Sequence, residues 1–177
     1  RRRFGVVPEE PPLFERLTGA EQLVFTARMY GLSATTAVGR TRDLLALLGL
    51  GPAASVVVAD YSRGMRKKLA FACALVHAPE ILFLDEPFEG VDPHSGDALQ
   101  RILGALTGRG ATVVFTTHIL EVAERLCERV GLLHRGRLAC EVILATLRAE
   151  GGTLRDVYAR TIDALEEEVA LPRWLAP

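Results

Sequence analysis

The chain has 177 residues, enough for one domain of ordinary size with a real core. Its 49% hydrophobic and 24% charged residues, with 16 glycines and 9 prolines, exclude collagen-like, mucin-like and disordered classes. Lys plus Arg (21) and Asp plus Glu (22) leave a formal charge of -1, so no overall field recruits nucleic acid or an acidic membrane, and any such partner must be met by a local patch.

In chain order, Arg1, Arg2 and Arg3 pass straight into a strand-like run, Phe4 to Pro8, without an initiating Met or the apolar run of a signal peptide. That pattern predicts a chain entered in its middle. After a turn-rich link, Glu9 to Pro12, Thr18 and Glu21 form the pattern of a capping box, which opens a helix to about Tyr30 that Gly31 ends. A second helix follows over Thr36 to Leu48, stopped by Gly49 and Gly51-Pro52. The longest uncharged stretch, Leu44 to Ala59, is broken by Gly49, Gly51 and Pro52, so no window offers the apolar run of about 18 residues that a spanning helix needs. Ile81 to Leu84 and Thr112 to Phe115 are short apolar runs, each followed by polar residues and a helical segment, the pattern of buried parallel strands. Val130 to His134 and Arg137 to Val142 flank Arg135-Gly136 and predict a hairpin, and the segments from Leu144 onward are helical. Cys73, Cys127 and Cys140 are odd in number and sit in apolar runs, the usage of reduced core thiols.

Three segments carry chemistry. The first is Ile81-Leu82-Phe83-Leu84-Asp85-Glu86-Pro87, which delivers two adjacent acids to the carboxyl edge of a strand, where open parallel sheets bind ligands. Alternation along a strand would point Asp85 and Glu86 different ways, the first suited to a Mg2+ shell and the second to orienting or deprotonating a water. The bland alternative is a pair of solvated acids. The second segment is Tyr61-Ser62-Arg63-Gly64-Met65-Arg66-Lys67-Lys68, small and basic at the start of an apolar helix. Free N–H groups at such an end make Ser62 and Gly64 a phosphate cradle, and basic residues there oppose the helix dipole unless an anion compensates them. The alternative is a polar turn capping a core helix. A nucleic-acid patch is disfavoured, because no aromatic residues interleave the basic cluster. The third is Thr112 to His118, which ends a strand in a histidine able to read a γ-phosphate if the two strands are neighbours; a structural histidine is the alternative, and His77, His94 and His134 are read as structural.

Taken in order, these segments resemble the ATP-binding cassette (ABC) ATPases from about Phe4 to Arg137. Tyr61 to Met65 resembles the signature sequence, and Ile81 to Glu86 resembles the Walker B strand with its catalytic glutamate. Glu89-Gly90-Val91-Asp92 is similar to the D-loop and His118 to the switch histidine, while Glu9 stands where the Q-loop glutamine is expected. The order and spacing carry the match, with Walker B about 20 residues after the signature and the histidine about 30 beyond. The wording is most similar to ATPase subunits of ABC-2 type exporters.

The resemblance implies an α/β P-loop NTPase fold with a mostly parallel sheet. A partial ATPase domain would occupy 1–145, with a helical subdomain over about 10–76 and core strands over about 77–142, and a helical tail would occupy 146–177. It implies ATP and Mg2+ as cofactors: Ser62, Arg63, Gly64, Met65, Asp92 and Glu9 toward nucleotide, Asp85 and Glu9 toward metal, Glu86 and His118 in catalysis. Asp92 would cross toward the site of a second cassette. The partners implied are that cassette and a membrane permease meeting the helical subdomain, with the chain peripheral on the cytoplasmic face of the membrane; no nucleic acid is expected. Several residues depart from the family pattern. Arg63 stands for a glycine, Met65 for a glutamine and Glu9 for a glutamine, and no GxxxxGK[ST] occurs, since Lys67 and Lys68 are the only lysines. The expectation is a C-terminal portion of a longer ATPase, N-terminally truncated and inactive alone. The alternatives are a noncatalytic shortened cassette serving assembly or regulation, and a soluble ABC ATPase acting on ribosomes or DNA.

Overall fold

The computed structural model describes residues 3–91 and 93–163, the side chains of 93–95 and 163 excepted. Contacts divide the chain into two compact units, Arg1–Thr117 and His118–Pro177, a boundary at a different place from the one expected after residue 145.

The first unit is built on three parallel strands in the order β1 (Phe4–Val7), β2 (Ile81–Leu84), β3 (Thr112–Phe115). Alternation makes the sheet two-faced. Val7, Leu82 and Leu84 are buried, while Phe4, Val6, Phe83 and Val114 on the other face stay between 41% and 60% exposed. Gly5 belongs to the covered face because a Cβ there would lie 2.5 Å from the Ala74 carbonyl oxygen and 2.8 Å from Leu82 Cδ1. Only glycine lets the helix carrying Ala74 approach this closely.

Between β1 and β2 lie three α-helices and two short 3-10 turns. α1 (Gly19–Met29) starts in the expected capping box, the Glu21 amide donating to Thr18 Oγ1 and the Thr18 amide to Glu21 Oε2, and Gly31 beyond it takes φ 80°. α2 (Ala34–Leu47) is capped by Ser33, and α3 (Arg63–Leu75) by Ser62. Leu23, Leu45, Leu69, Phe71 and Val76 from this region join Leu82 and Leu84 in one core, to which α4 (Pro93–Thr107) adds Leu99, Ile102 and Leu103. His77 is structural, as its position suggests: its ring stacks on Tyr30 at 3.7 Å between centroids, and its Nε2 meets the Phe4 carbonyl at 2.9 Å.

The second unit contains α5 (Leu120–Leu126), an antiparallel hairpin of β4 (Arg129–His134) and β5 (Arg137–Ile143), then α6 (Leu144–Ala149) and α7 (Leu154–Asp163). The hairpin turn has φ 47° at Arg135 and 76° at Gly136, the pair of left-handed residues that a two-residue connection of twisted strands requires. Ala123, Leu144, Leu147 and Leu154 form its core. The acidic run Glu166 to Glu168 lies outside the described residues. Among the described residues, no helix is long and apolar enough to cross a membrane.

Candidate functional site

Parallel register brings Val7, Leu84 and Phe115 level with one another, so Glu9, Asp85, Glu86 and Thr116 all leave the sheet at its carboxyl edge. The edge is held by main-chain bonds from the Asp85 amide to the Val7 carbonyl at 2.8 Å and from the Thr116 amide to the Leu84 carbonyl at 3.0 Å. Thr116 then ties the two acids together. Its hydroxyl donates to Asp85 Oδ1 at 2.5 Å and accepts from the Glu86 amide at 3.1 Å.

The reason expected for the divergence of Asp85 and Glu86 is corrected here. Strand β2 ends at Leu84, and Glu86 adopts φ 43°, so its direction comes from a left-handed backbone and not from strand alternation. A non-glycine residue held there costs free energy that the surroundings must offset. The Thr116 bond to its amide and the buried Pro87 after it supply two of the constraints.

At the start of α3, Ser62 Oγ accepts from the Met65 amide at 3.2 Å, and the Ser62 carbonyl accepts from the Arg66 amide at 2.9 Å. The Arg63 and Gly64 amides are first-turn donors to which helix geometry assigns no intrahelical acceptor. A Cβ at Gly64 would meet only the Gly90 carbonyl oxygen, at 3.9 Å, so the chain's own packing does not demand glycine there. The basic residues behind this turn are compensated within the chain, contrary to the argument that they call for an external anion. Arg66 reaches Glu15 at 3.2 Å, and Arg63 reaches Glu89 at 3.5 Å. Lys67 is buried, donating to the carbonyl oxygens of Glu86 at 3.0 Å and Glu89 at 2.8 Å.

Lys67 and Thr116 are the residues that sequence reasoning missed. Lys67 reads as one more cation in a basic cluster, and Thr116 as a polar residue after a strand. No pattern in the sequence marks Thr116; the strand register puts it one residue past Phe115, level with Asp85. Glu9 is exposed just after β1; Asp92 lies outside the described residues; His118 is an exposed residue that opens the second unit, two residues after Thr116. Asp85 and Thr116 are oxygen donors suited to a hard divalent cation that keeps waters and phosphate oxygens as its other ligands. Among the described residues no group of three His, Cys, Asp or Glu could hold a metal ion.

Residues 8–124 match the model of the domain family described as "AAA domain, putative AbiEii toxin, Type IV TA system". The fold superposes on a solved ATP-binding subunit of an ABC transporter with a TM-score of 0.84 and 35% identity, over 92% of this chain and 69% of that one. The chain belongs to the ATP-binding cassette ATPases. A second cassette ATPase structure, a dimer in a post-hydrolysis state bound to ADP and Pi, aligns with a TM-score of 0.74 and 26% identity over 81% of this chain and 64% of that one. The Nod factor export ATP-binding protein I of Burkholderia thailandensis is 38% identical over 172 residues, 96% of this cassette chain and 57% of its relative. This cassette chain spans about half the length of the curated relatives it matches. The fold expected from the sequence, an α/β cassette ATPase with a parallel sheet, is the fold observed.

Proposed function

We propose that this chain is the signature- and Walker B-bearing part of an ATP-hydrolysing subunit that powers an ABC-type membrane exporter. The observation that carries the reading is the Asp85–Thr116–Glu86 arrangement at the carboxyl edge of a parallel sheet: one acid clamped by a hydroxyl, the next turned aside by its backbone. Similarity to an export ATP-binding protein supports the transport role. A bound Mg2+ would be held by Asp85 through its hydration shell, with Glu9 near the same edge, and would supply charge neutralisation for the β- and γ-phosphates. Glu86 orients the attacking water and accepts its proton as the oxygen bonds to the γ-phosphorus and the bond to the β,γ-bridging oxygen breaks, ADP leaving with that electron pair. His118 holds a γ-phosphate oxygen.

Ser62, with the Arg63 and Gly64 amides, faces the γ-phosphate of a nucleotide held mainly by a second cassette, a pairing for which the dimeric relative is the precedent. Met65 completes this turn by donating its main-chain N–H to Ser62 Oγ, and Asp92 reaches across the dimer. No GxxxxGK[ST] occurs in the 177 residues, and in this proposal a longer chain supplies the phosphate-cradling loop and carries out turnover.

In this reading the subunit lies at the cytoplasmic membrane face, and the permease docks on a groove of about 290 Å³ on the first unit. Its wall includes Phe14 and Phe25, edge to face at 5.3 Å, and Met29, which is 72% exposed. The deciding experiment is ATP turnover by the complete protein and its Glu86→Gln variant, with the isolated 177 residues alongside. Turnover lost on the substitution and negligible in the isolated chain supports the reading; unchanged turnover in Glu86→Gln, or Glu86-dependent turnover by the isolated chain, refutes it.

A further inference from the structure

Lys67 lies on α3 one turn past the Ser62 cap, and its side chain is 7% exposed. A lysine this buried loses several kcal/mol of hydration that its partners must return, and removing it alone would leave those partners unpaired. Its ammonium is therefore informative about what it touches. Two of its three protons go to main-chain carbonyls, Glu86 at 3.0 Å and Glu89 at 2.8 Å, and Glu89 Oε2 lies 3.8 Å away. These carbonyls belong to the two ends of one turn, which the Glu89 amide closes on the Glu86 carbonyl at 3.2 Å. The Glu86 carbonyl thus accepts from both a main-chain amide and the ammonium. On its other side the Glu86 amide is fixed by Thr116. The peptide groups flanking a residue determine its φ and ψ, and Glu86 sits at φ 43°, where a glutamate does not rest by preference.

We propose that Lys67 is a positioning residue for ATP hydrolysis, clamping the Glu86 carbonyl so that the Glu86 side chain keeps its catalytic direction and linking that direction to the first turns of α3. The inference rests on the reading of Glu86 as the residue that orients water. Thr116 and Lys67 act as a pair, one on the amide and one on the carbonyl of the same residue. The α3 N-terminus, where Ser62 and Gly64 would meet nucleotide, and Glu86 become two ends of one rigid connection, since Lys67 leaves the helix in the turn that follows the cap.

The test uses the complete protein with Lys67→Met, which keeps the stem and removes the ammonium, and Glu86→Gln as its companion. The expected result is a fall in kcat of about tenfold or more with KM for ATP changed less than about threefold, because a misdirected group loses rate without losing ground-state binding. Any residual turnover of Glu86→Gln should not fall further when Lys67→Met is added. Wild-type kcat in folded Lys67→Met, or parallel changes of kcat and KM, overturns the proposal. If Glu86→Gln abolishes turnover while Lys67→Met keeps the wild-type kcat, only the positioning role falls; if Glu86→Gln keeps turnover, both readings fall. Should Lys67→Met not fold, Lys67→Gln, with a neutral donor, is read in the same way, and failure of both to fold overturns the proposal in favour of a purely structural lysine.

Discussion

Thr116 donates to Asp85 across the gap between two adjacent strands, at 2.5 Å, from the position one residue past the strand pair Leu84–Phe115. The same hydroxyl accepts from the next amide, Glu86, at 3.1 Å. One small side chain therefore orients both acids. Thr116→Val keeps the shape and removes both bonds; it should cost about 1 kcal/mol of stability in urea unfolding. In the complete protein it should lower kcat by about tenfold or more, with Thr116→Ser close to wild type. Equal kcat for Val and Ser would show that the hydroxyl plays no part.

Gly19 opens α1, where propensity alone says that alanine should stabilise. The structure predicts the reverse. A Cβ at Gly19 would lie 2.0 Å from the Tyr61 hydroxyl, which is committed to the Ala53 carbonyl at 2.7 Å on a ring only 5% exposed. Gly19→Ala should lower stability by about 1–3 kcal/mol, through strain in a packed core. Tyr61→Phe in the same chain should recover part of the loss, and a thermal melt showing Gly19→Ala above wild type would contradict this packing.

His77 gives the first unit a pH dependence. Burial pushes its pKa below the ordinary 6.5, the Phe4 carbonyl opposes that shift, and the Arg40 charge adds to it. Its Nδ1 is buried with no hydrogen-bond partner among the described residues, consistent with a neutral ring. With the folded value depressed, the unfolded chain takes up its proton first, so stability is complete above 6.5 and falls as pH drops from there toward the folded value. Denaturant midpoints at pH 7.5 and 5.5 should differ in that direction. His77→Phe, which can keep the stack on Tyr30 and cannot titrate, should shrink the difference; an undiminished difference would assign it to other groups.

Phe14, which lines the groove proposed to receive the permease, and Arg16 are exposed, and the Phe14 amide donates to Gln22 Oε1 at 2.9 Å. In assembled complexes of the complete protein, cysteines at these two positions should cross-link to the cytoplasmic loops of the permease, while a cysteine at Arg42 on α2 should not. Absence of product at both positions would remove the groove from the docking surface.

Where a signal lay within a few residues of chain, reading the sequence succeeded. The Thr18–Glu21 box, the Ser62 cap, the strand limits at Leu84 and Phe115 and the Arg135-Gly136 turn are all local patterns, and each appears where its pattern lies. The basic cluster after Ser62 was misjudged for the opposite reason. The partners of Arg66 and Lys67 come from Glu15 and from the turn at Glu86–Glu89, far along the chain, and no periodicity of the cluster names them.

Residue types and their order were sufficient to identify the family and to put Asp85 and Glu86 just past the end of a strand, because side-chain chemistry and short-range hydrogen bonding are written in the neighbours of each residue. Parallel pairing alone decided that Thr116 would stand beside Asp85, and the backbone at Glu86 alone decided where that glutamate turns. Both depend on strands brought level across long stretches of intervening chain, and register of that kind is set by how the buried faces of Val7, Leu82 and Leu84 pack together.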